Sequence, residues 1–331
     1  MNLCIELAKK GFPKALPNPL VGCVIVHKDT IIGEGYHEQY GQAHAEVNAI
    51  RNVNDLSLLK ESTLYVSLEP CAHFGKTPPC ADLIIRHKIP RVVVGSLDTF
   101  SEVNGQGIQR LKSADIHVKT SVLEDECRAI NRRFFTFHEK HRPYIILKWA
   151  QSADGFMAPS HQDKPFWLTG KDAKQLVHQW RTEESAILVG KNTVIKDNPQ
   201  LTAREAEGNN PIRLVIDKSL TLASEFAVFN SDANTYIINE KMDGEQHLKV
   251  DFSNFMDSLL QILYQKGIQS LIVEGGATTL NTFIQENKWD EARIFTSKKY
   301  LYEGLKSPVI KQDIRMSQTL TNDSLSYYFY T

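Results

Sequence analysis

The segment His44-Ala45-Glu46, followed by Pro70-Cys71 and then Cys80, constrains this 331-residue chain more than any other feature. One imidazole and two thiolates supply three ligands, His44, Cys71 and Cys80, for one tetrahedral Zn²⁺, and leave the fourth position for a water. Glu46, two residues after the histidine, lies close enough to move protons on that water as the catalytic acid and base. The eight residues between the cysteines, Ala72 to Pro79, exclude an ordinary C-x-x-C. They require a loop that leaves the metal and returns to it.

Zinc deaminases carry H-x-E followed by P-C-x-x-C, with the glutamate moving protons and not ligating. The first half of that pattern is present here and the second is stretched. The other cysteines, Cys4, Cys23 and Cys127, sit in apolar or helical stretches, and an odd total of five argues against a disulfide framework. The 38 basic and 39 acidic residues nearly cancel, so no cationic excess draws in nucleic acid. Met1-Asn2-Leu3-Cys4 lacks the cationic and apolar parts of a secretory signal, and no stretch is long enough to span a membrane. A cytoplasmic location without membrane partners is expected.

The length predicts two domains. In the first half the spacing predicts a helix over 3–10, a hairpin over 21–36, and a helix over 44–51 with His44 and Glu46 in its first turn. A strand over 63–68, a helix over 79–87, a strand over 91–95, a helix over 105–113, a strand over 116–120 and a helix over 123–137 follow. This alternation predicts a mostly parallel sheet covered on both faces. The metal loop leaves the C-terminal end of the 63–68 strand, where open α/β sheets place ligands, and Cys80 opens the next helix. Polar residues His138 to Pro143 read as a linker. Beyond it come strands over 144–150, 186–190, 212–217, 235–239 and 271–274, and helices over 172–182, 255–266 and from Thr278, with a surface loop over 205–210.

Pro17-Asn18-Pro19-Leu20-Val21-Gly22, His44-Ala45-Glu46-Val47 and the run from Glu69-Pro70-Cys71 through Cys80 resemble the bifunctional riboflavin-biosynthesis deaminase/reductase family. The resemblance implies a cytidine-deaminase-like three-layer α/β domain over 1–138. It implies zinc-hydroxide deamination of 2,5-diamino-6-(5-phosphoribosylamino)pyrimidin-4-one, with Glu46 moving the protons. It places Asn18, His73 and Lys76 against that substrate.

In the second half, Val273-Glu274-Gly275-Gly276-Ala277-Thr278 ends a strand and opens a helix whose free N–H groups suit an anion, although no G-x-G-x-x-G is present. Together with Lys148 to Gly155, Trp167 to Gly170, Arg181 and Asp197 to Thr202, this segment resembles the reductase half of the same family. The resemblance implies a dihydrofolate-reductase-like domain over 143–331 that uses NADPH to open the ribosyl group to ribityl phosphate. It places Lys148, Arg181, Leu201, Arg204 and Glu274 at the substrate, the two arginines as cations for its phosphate. It places Gln151, Trp167, Thr193, Asp197, Lys218, Gly276, Ala277 and Thr278 at the cofactor. Three positions depart from the family pattern: Pro165 and Lys218 replace small hydroxyl residues, and Gln151 replaces a small residue. Lys218 could pair with a phosphate of NADPH.

The resemblance also implies a homo-oligomer, a dimer through the second domain. Three readings compete with a two-headed enzyme. One keeps the deaminase and makes the second domain a degraded reductase used for assembly. Another is a nucleic-acid-editing deaminase, which the balanced charge opposes. The third is a non-enzymatic zinc protein, which needs a fourth protein ligand such as His73.

Overall fold

An apolar run that ends in charge makes the first hairpin: β1 (Gly22–His27) turns back through Lys28 and Asp29 into β2 (Thr30–Tyr36). Lys28 and Asp29 have φ of 45° and 64°. Two consecutive left-handed residues give the hairpin turn whose twist matches the flanking strands. The computed structural model describes residues 1–72, 78–99, 105–161 and 166–330. His73, Lys76 and Pro165 lie outside the described residues. The chain divides into two units, Met1–Lys140 and His141–Thr331.

In the first unit, α1 (Asn2–Lys9) precedes the hairpin, and α2 (Ala45–Arg51), β3 (Thr63–Leu68), α3 (Cys80–Arg86), β4 (Arg91–Ser96), α4 (Gln106–Ser113), β5 (His117–Lys119), α5 (Glu124–Ile130) and α6 (Arg132–Lys140) follow. The sheet runs β2-β1-β3-β4-β5, with β3, β4 and β5 parallel and the hairpin antiparallel. Ala45, Ala49 and Ile50 of α2, Ala81 and Ile84 of α3, and Leu111 of α4 bury one face against Ile25, Leu64, Val66, Val92 and Val94. Cys4 and Leu7 of α1 cover Val24 on the other. Fully burying a side chain such as Ile25 or Leu64 contributes roughly 1.5–3 kcal/mol. Cys4, Cys23 and Cys127 are buried free thiols.

The helix expected over 123–137 is two helices broken at Asn131. The Asn131 side chain accepts from the Leu20 amide (2.7 Å) and donates to the Leu20 carbonyl (2.8 Å), pairing with that backbone as a strand would. The second helix, α6, runs on to Lys140 through part of the expected linker, aided by the Arg128–Glu139 ion pair at 2.6 Å.

The second unit contains β6 (Tyr144–Gln151), β7 (Phe156–Ala158), α7 (Lys171–Glu183), β8 (Ala186–Gly190), α8 (Lys191–Asp197), β9 (Ile212–Ile216), β10 (Thr235–Asn239), β11 (His247–Lys249), α9 (Phe255–Gln265), β12 (Ser270–Val273) and α10 (Ala277–Gln285). Strands β13 (Glu291–Ser297), β14 (Leu305–Lys306), β15 (Met316–Thr319) and β16 (Asp323–Phe329) complete it. Its main sheet runs β11-β10-β9-β8-β12-β6-β13-β16-β15. From β11 to β13 every pairing is parallel, so those strands end along one edge. Helices α9 and α10 bury Leu259, Leu263, Leu280 and Phe283 on one face. Ala173, Val177 and Trp180 of α7 and Val194 of α8 cover the other. Among the described residues no helix is long and apolar enough to cross a membrane.

Candidate functional site

Three elements of the first unit converge as the spacing requires. His44 is the N-cap of α2 with φ −72° and ψ 163°, Cys71 follows the end of β3, and Cys80 is the first residue of α3. His44 Nδ1 lies 3.6 Å from Cys71 Sγ and 3.3 Å from Cys80 Sγ. The three ligand atoms all fall within 4.8 Å of one another, the one group among the described residues placed to hold a metal ion. One nitrogen and two sulfurs suit Zn²⁺, which is borderline soft and tetrahedral, and leave one position open.

The electrostatics are those of a site made for a cation. The Cys80 thiol and amide both donate to Cys71, and with His44 they outweigh burial and bring the Cys71 thiol down to about 4. Donating to Cys71, together with burial, pushes Cys80 up. Zinc binds cysteine as thiolate, so loading the site releases the thiol protons. Glu46, in the first turn of α2, is 3% exposed; burial raises its carboxyl to about 7, against the pull of His44.

Asn18 is half-buried, and its orientation is fixed by His37, a residue the sequence reading missed, whose ring centroid lies 5.6 Å from that of His44. His37 is 3% exposed and its Nδ1 lies 3.1 Å from the Ala43 carbonyl, which can only accept. The ring proton is therefore on Nδ1, and Nε2 accepts from the Asn18 amide nitrogen at 3.1 Å. That leaves the Asn18 Oδ1 as the amide's acceptor. Glu69 and Arg110 were also missed. Glu69 had a signal, a carboxylate at the end of an apolar strand next to Pro70-Cys71, whereas the contacts of His37 and Arg110 arise only in the tertiary fold.

In the second unit, Lys148 on β6, Arg181 on α7 and Glu274 just past β12 meet. Arg181 holds Glu274 through two bonds, Nε to Oε1 at 3.2 Å and Nη2 to Oε2 at 2.9 Å, and Lys148 Nζ stands 3.6 Å from Oε2. Burial alone would raise the Glu274 carboxyl, but Arg181 and Lys148 outweigh it and hold it at about 2. Burial pushes Lys148 down; Glu274 opposes this and Arg181 adds to it. Arg181 also donates to the Thr202 carbonyl at 3.1 Å, which brings the segment with Leu201 and Arg204 alongside. Leu201 is buried, and Arg204 is exposed.

Beside this cluster two helices begin at adjacent strand ends. Gly276 caps α10, and its amide donates to Thr193 Oγ1 on α8 at 3.0 Å. A Cβ on Gly275 would meet Thr279 Cβ at 2.9 Å, so only glycine fits that approach. The N-terminus of α10 at Gly276, Ala277 and Thr278 suits the diphosphate of a dinucleotide. Gln151 accepts from Trp149 Nε1 at 3.0 Å, Asp197 ends α8, and Trp167 is 59% exposed with Lys174 Nζ 5.2 Å over its ring. Lys218 pairs with Glu240 at 3.3 Å and lines a cleft of about 720 Å³ with Lys249, Asp251, Phe252 and Ser253.

Residues 1–96 match the cytidine and deoxycytidylate deaminase zinc-binding region, and residues 143–316 match the RibD C-terminal domain. The riboflavin biosynthesis protein RibD of Aquifex aeolicus is 40% identical over 315 residues, 92% of this chain and 88% of that one. That of Bacillus amyloliquefaciens is 39% identical, over 89% of this chain and 82% of its own. A crystal structure of a diaminohydroxyphosphoribosylaminopyrimidine deaminase/5-amino-6-(5-phosphoribosylamino)uracil reductase from Thermotoga maritima superposes with a TM-score of 0.88 at 36% identity, covering 99% of this chain and 96% of the other. Acinetobacter baumannii RibD gives 0.87 at 32%, covering 100% and 97%. A cytidine-deaminase-like domain followed by a RibD reductase domain, matched along nearly the whole length, places the chain in the RibD family of bifunctional riboflavin biosynthesis enzymes.

Proposed function

We propose that the chain deaminates 2,5-diamino-6-(5-phosphoribosylamino)pyrimidin-4-one in a domain over residues 1–138, within the first unit. A domain over residues 143–331, within the second unit, then reduces the ribosyl group of the product to ribityl phosphate. The observation that carries the reading is the buried Glu46 carboxyl beside the His44, Cys71 and Cys80 group. Those three residues would hold a zinc ion, which would acidify a bound water. Glu46 takes a proton from the attacking water and delivers it to the departing amine, which leaves as ammonia. Asn18, with one amide N–H committed to His37, offers Oδ1 to a ring or amino N–H of the pyrimidine. His73 and Lys76, between the two cysteines, are assigned to the same substrate by the family resemblance.

In the second unit, bound NADPH would be the source of the hydride that the anomeric carbon takes up. Lys148 is the odd cation of a cluster with two positive groups and one negative, so it is the member most ready to give up a proton. It delivers that proton to the sugar ring oxygen as the carbon–oxygen bond opens. Glu274, itself held by Arg181, holds Lys148 in place, and exposed Arg204, three residues after Leu201, meets the phosphate. Gln151, Trp167, Thr193, Asp197 and the Gly276–Thr278 amides hold the cofactor. The buried Lys148, Arg181 and Glu274 cluster favours a working reductase over one kept for assembly. Met316, 53% exposed on edge strand β15, supports a dimer through the second unit.

The test is an assay of zinc-loaded protein that follows ammonia release and NADPH absorbance separately. Ammonia without NADPH, and NADPH oxidation only after deamination, are expected; ammonia with no oxidation would leave only the deaminase. Lys218 carries a narrower prediction. If it meets a phosphate that NADPH has and NADH lacks, Lys218→Ala lowers the preference for NADPH by roughly 10-fold, the loss of one charge-assisted hydrogen bond. Unchanged preference in paired KM measurements would reject the contact.

A further inference from the structure

We propose that α4 is a strut for the metal centre and that Arg110 is a positioning residue that sets the separation of Cys71 and Cys80. Arg110 Nη1 donates to the Ala72 carbonyl at 3.1 Å, and Arg110 Nε pairs with Asp82 Oδ1 at 2.6 Å. Ala72 directly follows Cys71, and Asp82 stands two residues after Cys80 in the first turn of α3. One guanidinium therefore ties together both ends of the long loop between the cysteines. Its N–H donors are fixed in a rigid plane, so it sets a distance that a flexible ammonium cannot.

The helix that carries Arg110 is itself fixed to the strand that carries Cys71. Glu69, 4% exposed at the end of β3, accepts from the amides of Gly105 (3.0 Å), Ile108 (3.2 Å) and Asp98 (3.3 Å). Its carboxylate thus occupies the positive end of α4. Gly107 brings the helix backbone against the chain just before Cys71, since a Cβ there would stand 1.9 Å from the Pro70 carbonyl oxygen. Helix α4 thus grips Glu69 and Pro70 before the first cysteine, Ala72 after it, and Asp82 beyond the second. A separation held in advance removes the reordering that metal binding would otherwise require, and partners that orient ligands change metal affinity by 10–100-fold.

An ion pair with side chains 43% and 23% exposed adds little to folding stability, which separates positioning from simple structural support. The proposal rests on the assignment of Cys71 and Cys80 as ligands. The experiment is chelator competition for zinc, with the visible spectrum of the Co²⁺-substituted full-length protein, on Arg110→Met, Arg110→Lys and Cys80→Ser. In Arg110→Met, zinc affinity is expected to fall by roughly 10–100-fold and the Co²⁺ bands to shift, with the thermal midpoint of the metal-free protein unchanged. Arg110→Lys should recover little. Wild-type affinity and spectrum in Arg110→Met would overturn the strut, as would full recovery in Arg110→Lys or an equal loss of metal-free stability. Cys80→Ser distinguishes the two failures. If it binds zinc as wild type does, the ligand assignment falls; if it loses zinc while Arg110→Met retains it, only the strut falls.

Discussion

Glu46→Gln is expected to keep its zinc and lose ammonia release by roughly 10³–10⁴-fold, the upper part of the range for one acid–base group, because the same carboxyl serves twice. It removes a proton from water and later hands one to the leaving nitrogen; Gln can do neither while filling the same space. The variant should fold normally, since burying a neutral amide in place of a 3%-exposed carboxyl adds no charge to the interior. Reduction of separately supplied deaminated substrate should be unaffected. Rapid-quench ammonia measurement alongside metal analysis decides the matter. Near-wild-type turnover would end the assignment of Glu46, and loss of zinc would make the residue a ligand.

The metal site was legible because its chemistry is local in sequence on three short segments. His44 and Glu46 fall at one helix start, Cys71 at a strand end and Cys80 at the next helix start, and the structure brings His44, Cys71 and Cys80 within 4.8 Å. Elements with a strong period, such as β3 and β4, were read to within a residue or so. What the sequence hid were decisions made by tertiary partners. Asn131 breaks a helical pattern only because Leu20 offers its backbone, and Lys140 stays helical partly because Arg128 reaches Glu139.

In the second unit the final sheet edge was not anticipated. Strand β15 is exposed at every position, and β16 alternates only over Asp323, Ser324 and Leu325 before four half-buried residues, so neither shows the sustained alternation that marks a strand. Helix α8, with Val194 its one buried residue, has too narrow an apolar stripe to announce itself. The Lys148, Arg181 and Glu274 positions were named from the family pattern. Their mutual contact, which makes Arg181 a partner of Glu274, needed the fold.

That contact makes Glu274→Gln the substitution with the largest expected effect on stability. It leaves Lys148 and Arg181, with side chains 15% and 11% exposed, as buried cations without their carboxylate. Removing one partner of such a cluster costs about 3–5 kcal/mol, because the desolvated charges that remain are uncompensated. For a unit of this size that lowers the thermal midpoint by roughly 6–20 °C. The dependence on pH carries a sign that checks the cause. The Glu274 carboxyl is held at about 2 against an ordinary value of 4.5, so its stabilisation is complete above pH 4.5 and disappears as pH falls through about 2. The gap between wild type and Glu274→Gln should therefore be constant near neutrality and close in acid. Adding Lys148→Met to Glu274→Gln should restore part of the loss, because it removes one of the stranded cations. A gap of under about 1 kcal/mol at pH 7, or one that persists unchanged to pH 2, would mean that the ion cluster does not hold the second unit together.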